Sequence, residues 1–178
     1  MTIGEIFALF ANPFASVAAI RDFLELGGQV LVLQFGLALL LWTLIYERLR
    51  YYRGGFAALT QAHHARWRQV RPRAARHVRT ALICDARLHA EAHLALIRVL
   101  VQAAPLIGLL GTVTGMIELF DVIAQTGSGN ARAMASGIAR ATLPTLAGLG
   151  IALPGLFFAA ALARRARRAV ARFADALV

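Results

Sequence analysis

Three long stretches without aspartate, glutamate, lysine or arginine constrain the fold more than any other feature of this chain. They are Leu26–Tyr46, Val99–Ile117 and Ala141–Ala163, with 21, 19 and 23 residues. About 20 apolar residues, rising about 1.5 Å each, cross a hydrocarbon core of about 30 Å. With 59% hydrophobic residues and a mean hydropathy of +0.64, the chain is too apolar for a soluble domain. We predict an all-α polytopic membrane protein with three transmembrane helices.

The basic residues indicate how the chain lies across the membrane. All the basic charge is arginine, and the net charge is +10. Eleven arginines lie in Glu47–Arg98 and five in Arg164–Val178. The positive-inside rule places these two segments in the cytoplasm and the N-terminus outside. This topology already explains the sequence pI of about 11.6, so we do not expect nucleic-acid binding.

Spans and charges together predict seven segments. The first, residues 1–26, is an amphipathic segment on the outer surface of the membrane, interrupted at Asn12-Pro13. The others are transmembrane helices at 27–46, 99–124 and 141–163, a cytoplasmic arginine-rich helical region at 47–98, a periplasmic turn leading into the third helix at 125–140, and a basic cytoplasmic tail at 164–178.

The second and third spans combine small residues with prolines. Glycines and other small residues three or four positions apart leave strips of nearly bare backbone, which allow close helix packing. We expect such strips at contacts between copies of the chain: Gly108, Gly111, Gly115, Gly148 and Gly155. A proline inside a helix removes a backbone donor, so kinks are predicted at Pro105, Pro144 and Pro154.

Each of these spans also carries a threonine among glycines. Thr112 lies six residues before Glu118, about 9 Å along a helix, and Thr145 lies five residues after Arg140, about 7 to 8 Å. In one interpretation each hydroxyl bonds a carbonyl of its own helix. We favour the other, in which two hydroxyls at similar depth share a polar surface. The three charge-free stretches contain no Asp, Glu, His or Lys at mid-membrane depth, so a proton path would need a carboxylate from a partner.

Catalytic and metal-binding functions find little support. The sequence shows no nucleophile–base pair and no phosphate-binding loop, so we expect no enzyme activity and no cofactor. His89 and His93 share a helix face, but the run HAEAH lacks the HExxH order of zinc proteases. We predict no metal site.

Two sequence runs resemble a known family. They are APLIGLLGTVTGMI at Ala104–Ile117 and GIARATLPTLAGLGIALPG at Gly137–Gly155, and ERLR at Glu47–Arg50 ends the first span in a similar way. The chain resembles the MotA/TolQ/ExbB proton channel family. Within it, the chain is most similar to the ExbB branch, in the short ExbB subtype of accessory TonB systems.

The resemblance implies an assembly and a function. It implies a homo-oligomeric ring, a pentamer, around two transmembrane helices of an ExbD-like partner that carries the proton-binding aspartate. This complex would lie in the bacterial inner membrane, with long helices of the ring extending into the cytoplasm. It would use proton motive force to drive a TonB-like protein in outer-membrane import. Alternatives are a TolQ-like subunit of a Tol-Pal system and a membrane scaffold that conducts no ions.

The resemblance also implies roles for particular residues. Thr112 and Thr145 fall on the two pore threonines of the family. Arg140 departs from the family pattern, because most ExbB and TolQ proteins have glutamate there. A cation cannot accept a proton as a carboxylate does. We therefore expect Arg140 to act electrostatically at the outer mouth, opposite a lipid headgroup or an acidic residue, for which Glu118 and Asp121 are the candidates.

Overall fold

The computed structural model describes residues 13–68, 75–126 and 131–177, and every regular element in these ranges is a helix. Three of the helices are long and apolar enough to cross a membrane. The predicted all-α fold with three spans is therefore confirmed. In chain order the elements are α1 (Pro13–Arg50), a π-helical turn (Tyr51–Gly55), α2 (Phe56–Trp67), α3 (Ala75–Glu91), α4 (Leu94–Thr126) and α5 (Ala131–Asp175).

Helix α1 is interrupted at Gly28. The φ of this glycine is 67° and its ψ is −163°, a conformation that is essentially restricted to glycine. The interruption predicted at Asn12-Pro13 falls at the edge of residues 1–12, which lie outside the described residues. Residues 127–130, in the predicted periplasmic turn, also lie outside them.

The helices contribute to two compact units. The first comprises residues 1–37 and 103–150, and so contains the described segment of α1 up to Leu37, most of α4 and the first half of α5. Its buried residues are mainly small or apolar: Leu31, Ala104, Gly108, Gly111, Leu119, Ala141, Pro144 and Gly148. One buried residue in this unit is polar, Gln34, which is only 1% exposed.

The second unit comprises residues 38–102 and 151–178. Its main core contains aliphatic and aromatic residues of the later part of α1, of α2, of α3, of α4 and of α5: Leu41, Ile45, Phe56, Ala90, Leu94, Ile97, Val101, Leu162, Ala166 and Ala169. Arg48 is buried beside this core. Its guanidinium donates to the main-chain oxygen of His89 at 3.1 Å and to Nδ1 of His93 at 3.0 Å. His93 has a φ of 62° and lies where the chain turns from α3 into α4.

All three intramembrane prolines lie inside helices. Pro105 is in α4, and Pro144 and Pro154 are in α5, which continues from Ala131 to Asp175. The predicted kinks at these positions stay predictions.

Candidate functional site

Helices α4 and α5 pack backbone against backbone through their glycines. A Cβ atom at Gly108 would lie 2.8 Å from the main-chain oxygen of Pro144. A Cβ atom at Gly148 would lie 2.6 Å from the main-chain oxygen of Ala104. Such distances are too short for a real side chain, so only glycine fits at these two contacts. The paired positions run in opposite directions along the two helices, which are therefore antiparallel here.

The other glycines of the strips also contact helices of their own chain. In the first unit Gly111 faces Pro144 and Val30, and Gly115 faces Ala141. In the second unit Gly155 faces Val101 and Leu41. All five glycines therefore pack within one subunit, and their expected place at contacts between copies stays a prediction.

The two threonines make different hydrogen bonds. Thr145 Oγ1 donates across to the main-chain oxygen of Gly108 on α4, at 3.0 Å. Thr112 Oγ1 donates to the main-chain oxygen of Leu109 in its own helix, at 2.7 Å. The own-helix interpretation therefore describes the hydroxyl of Thr112, whereas the hydroxyl of Thr145 connects two helices.

The two hydroxyls bond carbonyl oxygens of consecutive residues of α4. Thr145 Oγ1 bonds that of Gly108 and Thr112 Oγ1 bonds that of Leu109, and consecutive residues of a helix differ by about 1.5 Å along its axis. The two bonded oxygens therefore lie at similar depth, although Thr112 itself follows Gly108 by one turn of α4. The polar surface that the two threonines are expected to share stays a prediction.

Both hydroxyls remain able to accept hydrogen bonds. A hydroxyl has one proton and two lone pairs, and both protons are already donated to carbonyl oxygens. Both side chains are half-buried, so neither is sealed inside the unit. Each hydroxyl can accept a hydrogen bond in its present geometry, and it can donate to an anion after rotating away from its carbonyl.

Gln34 of α1 lies beside the same contact. Its Nε2 is 2.9 Å from the main-chain oxygen of Pro144 and 3.4 Å from that of Ala104. Gln34 was not among the residues predicted from the sequence, where only hydroxyl and ionisable groups were considered as polar groups of the spans. A lone amide in an otherwise apolar stretch is the signal that would have found it.

Near this contact, a cavity of about 320 Å³ brings together two of the three residues assigned to the outer mouth. Glu118 and Arg140 both line it, together with Thr114 and Pro144. Asp121 is not among its lining residues. Within the described part of the chain, Arg140 forms no ion pair with either carboxylate, so any influence it has on Glu118 acts across the cavity.

Two histidines of the second unit each lie close to a carboxylate. His63 Nε2 lies 3.0 Å from a carboxylate oxygen of Asp85, and His93 Nδ1 lies 3.4 Å from a carboxylate oxygen of Glu47. Among the residues that the structure describes, no three such groups come together as a metal site would require.

Comparison with known proteins identifies relatives over most of the chain. The sequence pattern that defines the MotA/TolQ/ExbB proton channel family matches residues 54–175. Biopolymer transport protein exbB1 of Vibrio cholerae is 36% identical over 127 residues, which are 71% of this chain and 53% of exbB1. A Synechocystis protein named ExbB-like 1 is 43% identical over 61 residues, which are 33% of this chain and 24% of that protein. The chain thus spans about half the length of exbB1 and about a quarter of the length of the Synechocystis protein.

Proposed function

The chain belongs to the MotA/TolQ/ExbB proton channel family, and we propose that it is the channel-forming subunit of an energy-transducing complex in a bacterial inner membrane. The similarity to exbB1 supports the ExbB branch within this family. In this proposal several copies, a pentamer by family resemblance, surround two single-span partner helices. The chain itself performs no chemical step and needs no cofactor.

The observation that carries this proposal is the pair of threonines in charge-free stretches of the spans. The partner aspartate would carry the proton, because a proton path needs an ionisable group and these stretches contain no carboxylate. When protonated, the partner's carboxyl group donates to the lone pairs of Thr112 or Thr145. When ionised, it accepts a hydrogen bond from the hydroxyl of a threonine that has rotated off its carbonyl.

The two hydroxyls would offer successive partners to a moving carboxyl group. They bond the carbonyl oxygens of Leu109 and Gly108, consecutive residues that point about 100° apart around α4. A partner carboxyl group would exchange one hydroxyl for the other as it moves past them. This motion of the partner would transmit work to a TonB-like protein.

The main alternatives differ in what receives the work. A TolQ-like subunit would drive a Tol-Pal system, and a scaffold would conduct no protons at all. The name of exbB1, a biopolymer transport protein, supports a transport role over a scaffold. A gene for a TonB-like or a TolA-like protein beside this one would distinguish the first two possibilities.

The experiment that tests conduction uses the chain together with its single-span partner in liposomes. With an imposed pH gradient, an internal pH dye should report proton entry for the complex and none for this chain alone. A Thr112→Val, Thr145→Val double variant should assemble and conduct little, because valine keeps the shape and loses the hydroxyl. Conduction equal to that of the unmodified complex would refute the threonine path, and no conduction by the unmodified complex would favour the scaffold.

Orientation is tested separately. Eleven arginines in residues 47–98 oppose export, so we expect that region in the cytoplasm. A reporter that is active only in the cytoplasm should work when inserted there. Cleavage of that region by a protease added from the periplasmic side would contradict the proposed topology.

A further inference from the structure

Gln34 is the most deeply buried polar side chain in the described part of the first unit. It is 1% exposed, and its amide nitrogen lies against both α4 and α5. Its two nearest polar neighbours are main-chain oxygens, which can only accept hydrogen bonds. The amide must therefore turn its nitrogen toward them, because the reverse orientation would place oxygen against oxygen.

The nitrogen lies between the two glycines that bring the helices together. A Cβ atom would lie 3.1 Å from it at Gly108 and 2.9 Å from it at Gly148. The carbonyls that it contacts belong to Ala104 and Pro144, each four residues before one of these glycines. Gln34 thus bonds one turn of α4 and the corresponding turn of α5 with a single NH₂ group.

These bonds contribute little to folding. Both carbonyl oxygens lie inside helices, where the amide four residues later is the regular donor, so neither depends on Gln34. The shorter bond, to Pro144, is 2.9 Å and the other is a long 3.4 Å. Moreover, the Oε1 atom is buried and has no hydrogen-bond partner among the described residues. A buried amide with an unpaired oxygen is unfavourable, and an apolar side chain of the same length would avoid that cost.

The bond to Pro144 acts directly on the peptide group that leads into Thr145. The carbonyl of Pro144 and the backbone nitrogen of Thr145 belong to one rigid plane. On the other side, the Thr145 hydroxyl donates to Gly108, one turn from Ala104. Gln34 therefore constrains both the backbone that carries the hydroxyl and the helix that receives its bond.

We propose that Gln34 is a positioning residue for Thr145, which it holds at the α4–α5 contact so that the hydroxyl stays within reach of a passing carboxyl group. This inference rests on the proposed proton path. It goes beyond that path by assigning a function to α1, which carries no pore threonine. In this role the amide sets the position of the Thr145 hydroxyl and does not stabilise the fold.

The test compares two variants with nearly the same side-chain length, each in the complex with its partner in liposomes. Gln34→Met removes both donors and the unpaired oxygen. The melting temperature and the assembly of the complex should be unchanged, while proton entry should fall about tenfold, which corresponds to a barrier raised by about 1.4 kcal/mol when the hydroxyl is no longer held in place.

Gln34→Glu supplies a donor only when it is protonated. Its proton entry, divided by that of the unmodified complex at each pH, should therefore rise as the pH falls. The same ratio for Gln34→Met should stay flat. A purely structural role of Gln34 would not produce this recovery of proton entry at low pH.

The outcomes separate this inference from the proposed function. Normal conduction by Gln34→Met would overturn the positioning role while leaving the threonine path intact. A melting temperature that falls in step with conduction, with no recovery of Gln34→Glu in acid, would reduce Gln34 to a structural residue and also overturn it. Normal conduction by the Thr112→Val, Thr145→Val double variant would instead refute the proton path on which the inference rests.

Discussion

The hydroxyl of Thr145 donates a 3.0 Å hydrogen bond to the main-chain oxygen of Gly108, and so connects the two helices that carry the candidate proton path. Gly108 permits this bond because a Cβ atom there would lie only 3.0 Å from the Cα atom of Thr145. Close packing at a small residue of α4 thus brings a hydroxyl of α5 within hydrogen-bonding distance of the α4 backbone.

Thr145→Val should lower proton entry more than a matched change on the same helix. Thr142 provides the match, because its hydroxyl is exposed and donates to Ala139 in its own helix at 2.9 Å. An interhelical hydrogen bond in a membrane contributes about 0.6 to 2 kcal/mol, so Thr145→Val should reduce flux about three- to thirtyfold. Proton flux into liposomes that contain equal amounts of each complex measures the difference between the two variants. Equal flux for Thr145→Val and Thr142→Val would contradict a special role for Thr145.

Gly148→Ala should destabilise the first unit, whereas Gly150→Ala should not. A methyl group at Gly148 would lie 2.6 Å from the oxygen of Ala104, while one at Gly150 meets nothing within 4 Å. Overpacking of this kind costs about 1 to 3 kcal/mol, and alanine in an open helical position stabilises by up to about 1 kcal/mol. Thermal unfolding in detergent compares the two. Similar melting temperatures would show that α4 and α5 separate easily at this contact.

Arg140→Glu should impair function, because it would place a second carboxylate on the cavity that Glu118 lines. Arg140→Lys keeps the charge and should retain substantial activity. Uptake of a limiting outer-membrane substrate, measured as growth, reports the effect.

Double variants can test whether residue 140 acts on Glu118, because both residues line the cavity. Adding Glu118→Gln should partly restore the Arg140→Glu variant, since it removes the opposing charge. Adding Asp121→Asn should restore less, because Asp121 does not line the cavity. Equal restoration by both would show that Arg140 responds only to the total charge of the outer mouth.

Arg48→Met should destabilise the second unit by about 1 to 3 kcal/mol, because a buried side chain with several hydrogen bonds is removed. Arg48→Lys should recover only part of the loss, since one ammonium group cannot reproduce the spread of the guanidinium. Arg50→Met is the control, because Arg50 is exposed. Its melting temperature should stay close to that of the unmodified chain.

The sequence alone determined the number of spans and which helix faces carry small residues. Three stretches without charge predict three membrane helices because hydrocarbon excludes both charges and unpaired backbone groups. Glycine spacing predicts close packing because it is a property of one helix by itself. The family resemblance rests on the same local runs, and it reached Thr112 and Thr145 without any knowledge of their partners.

Only the tertiary structure decided which surfaces meet. Whether Gly111 faces a neighbouring copy or Pro144 of its own chain depends on rotations of whole helices, which no local pattern specifies. The hydrogen bond from Thr145 to Gly108 follows from the register of two helices, set by contacts such as Gly108 with Pro144. The role of Gln34 depends on carbonyls that are distant in sequence. A main-chain oxygen is the same in every residue, so its position beside Gln34 is a consequence of packing alone.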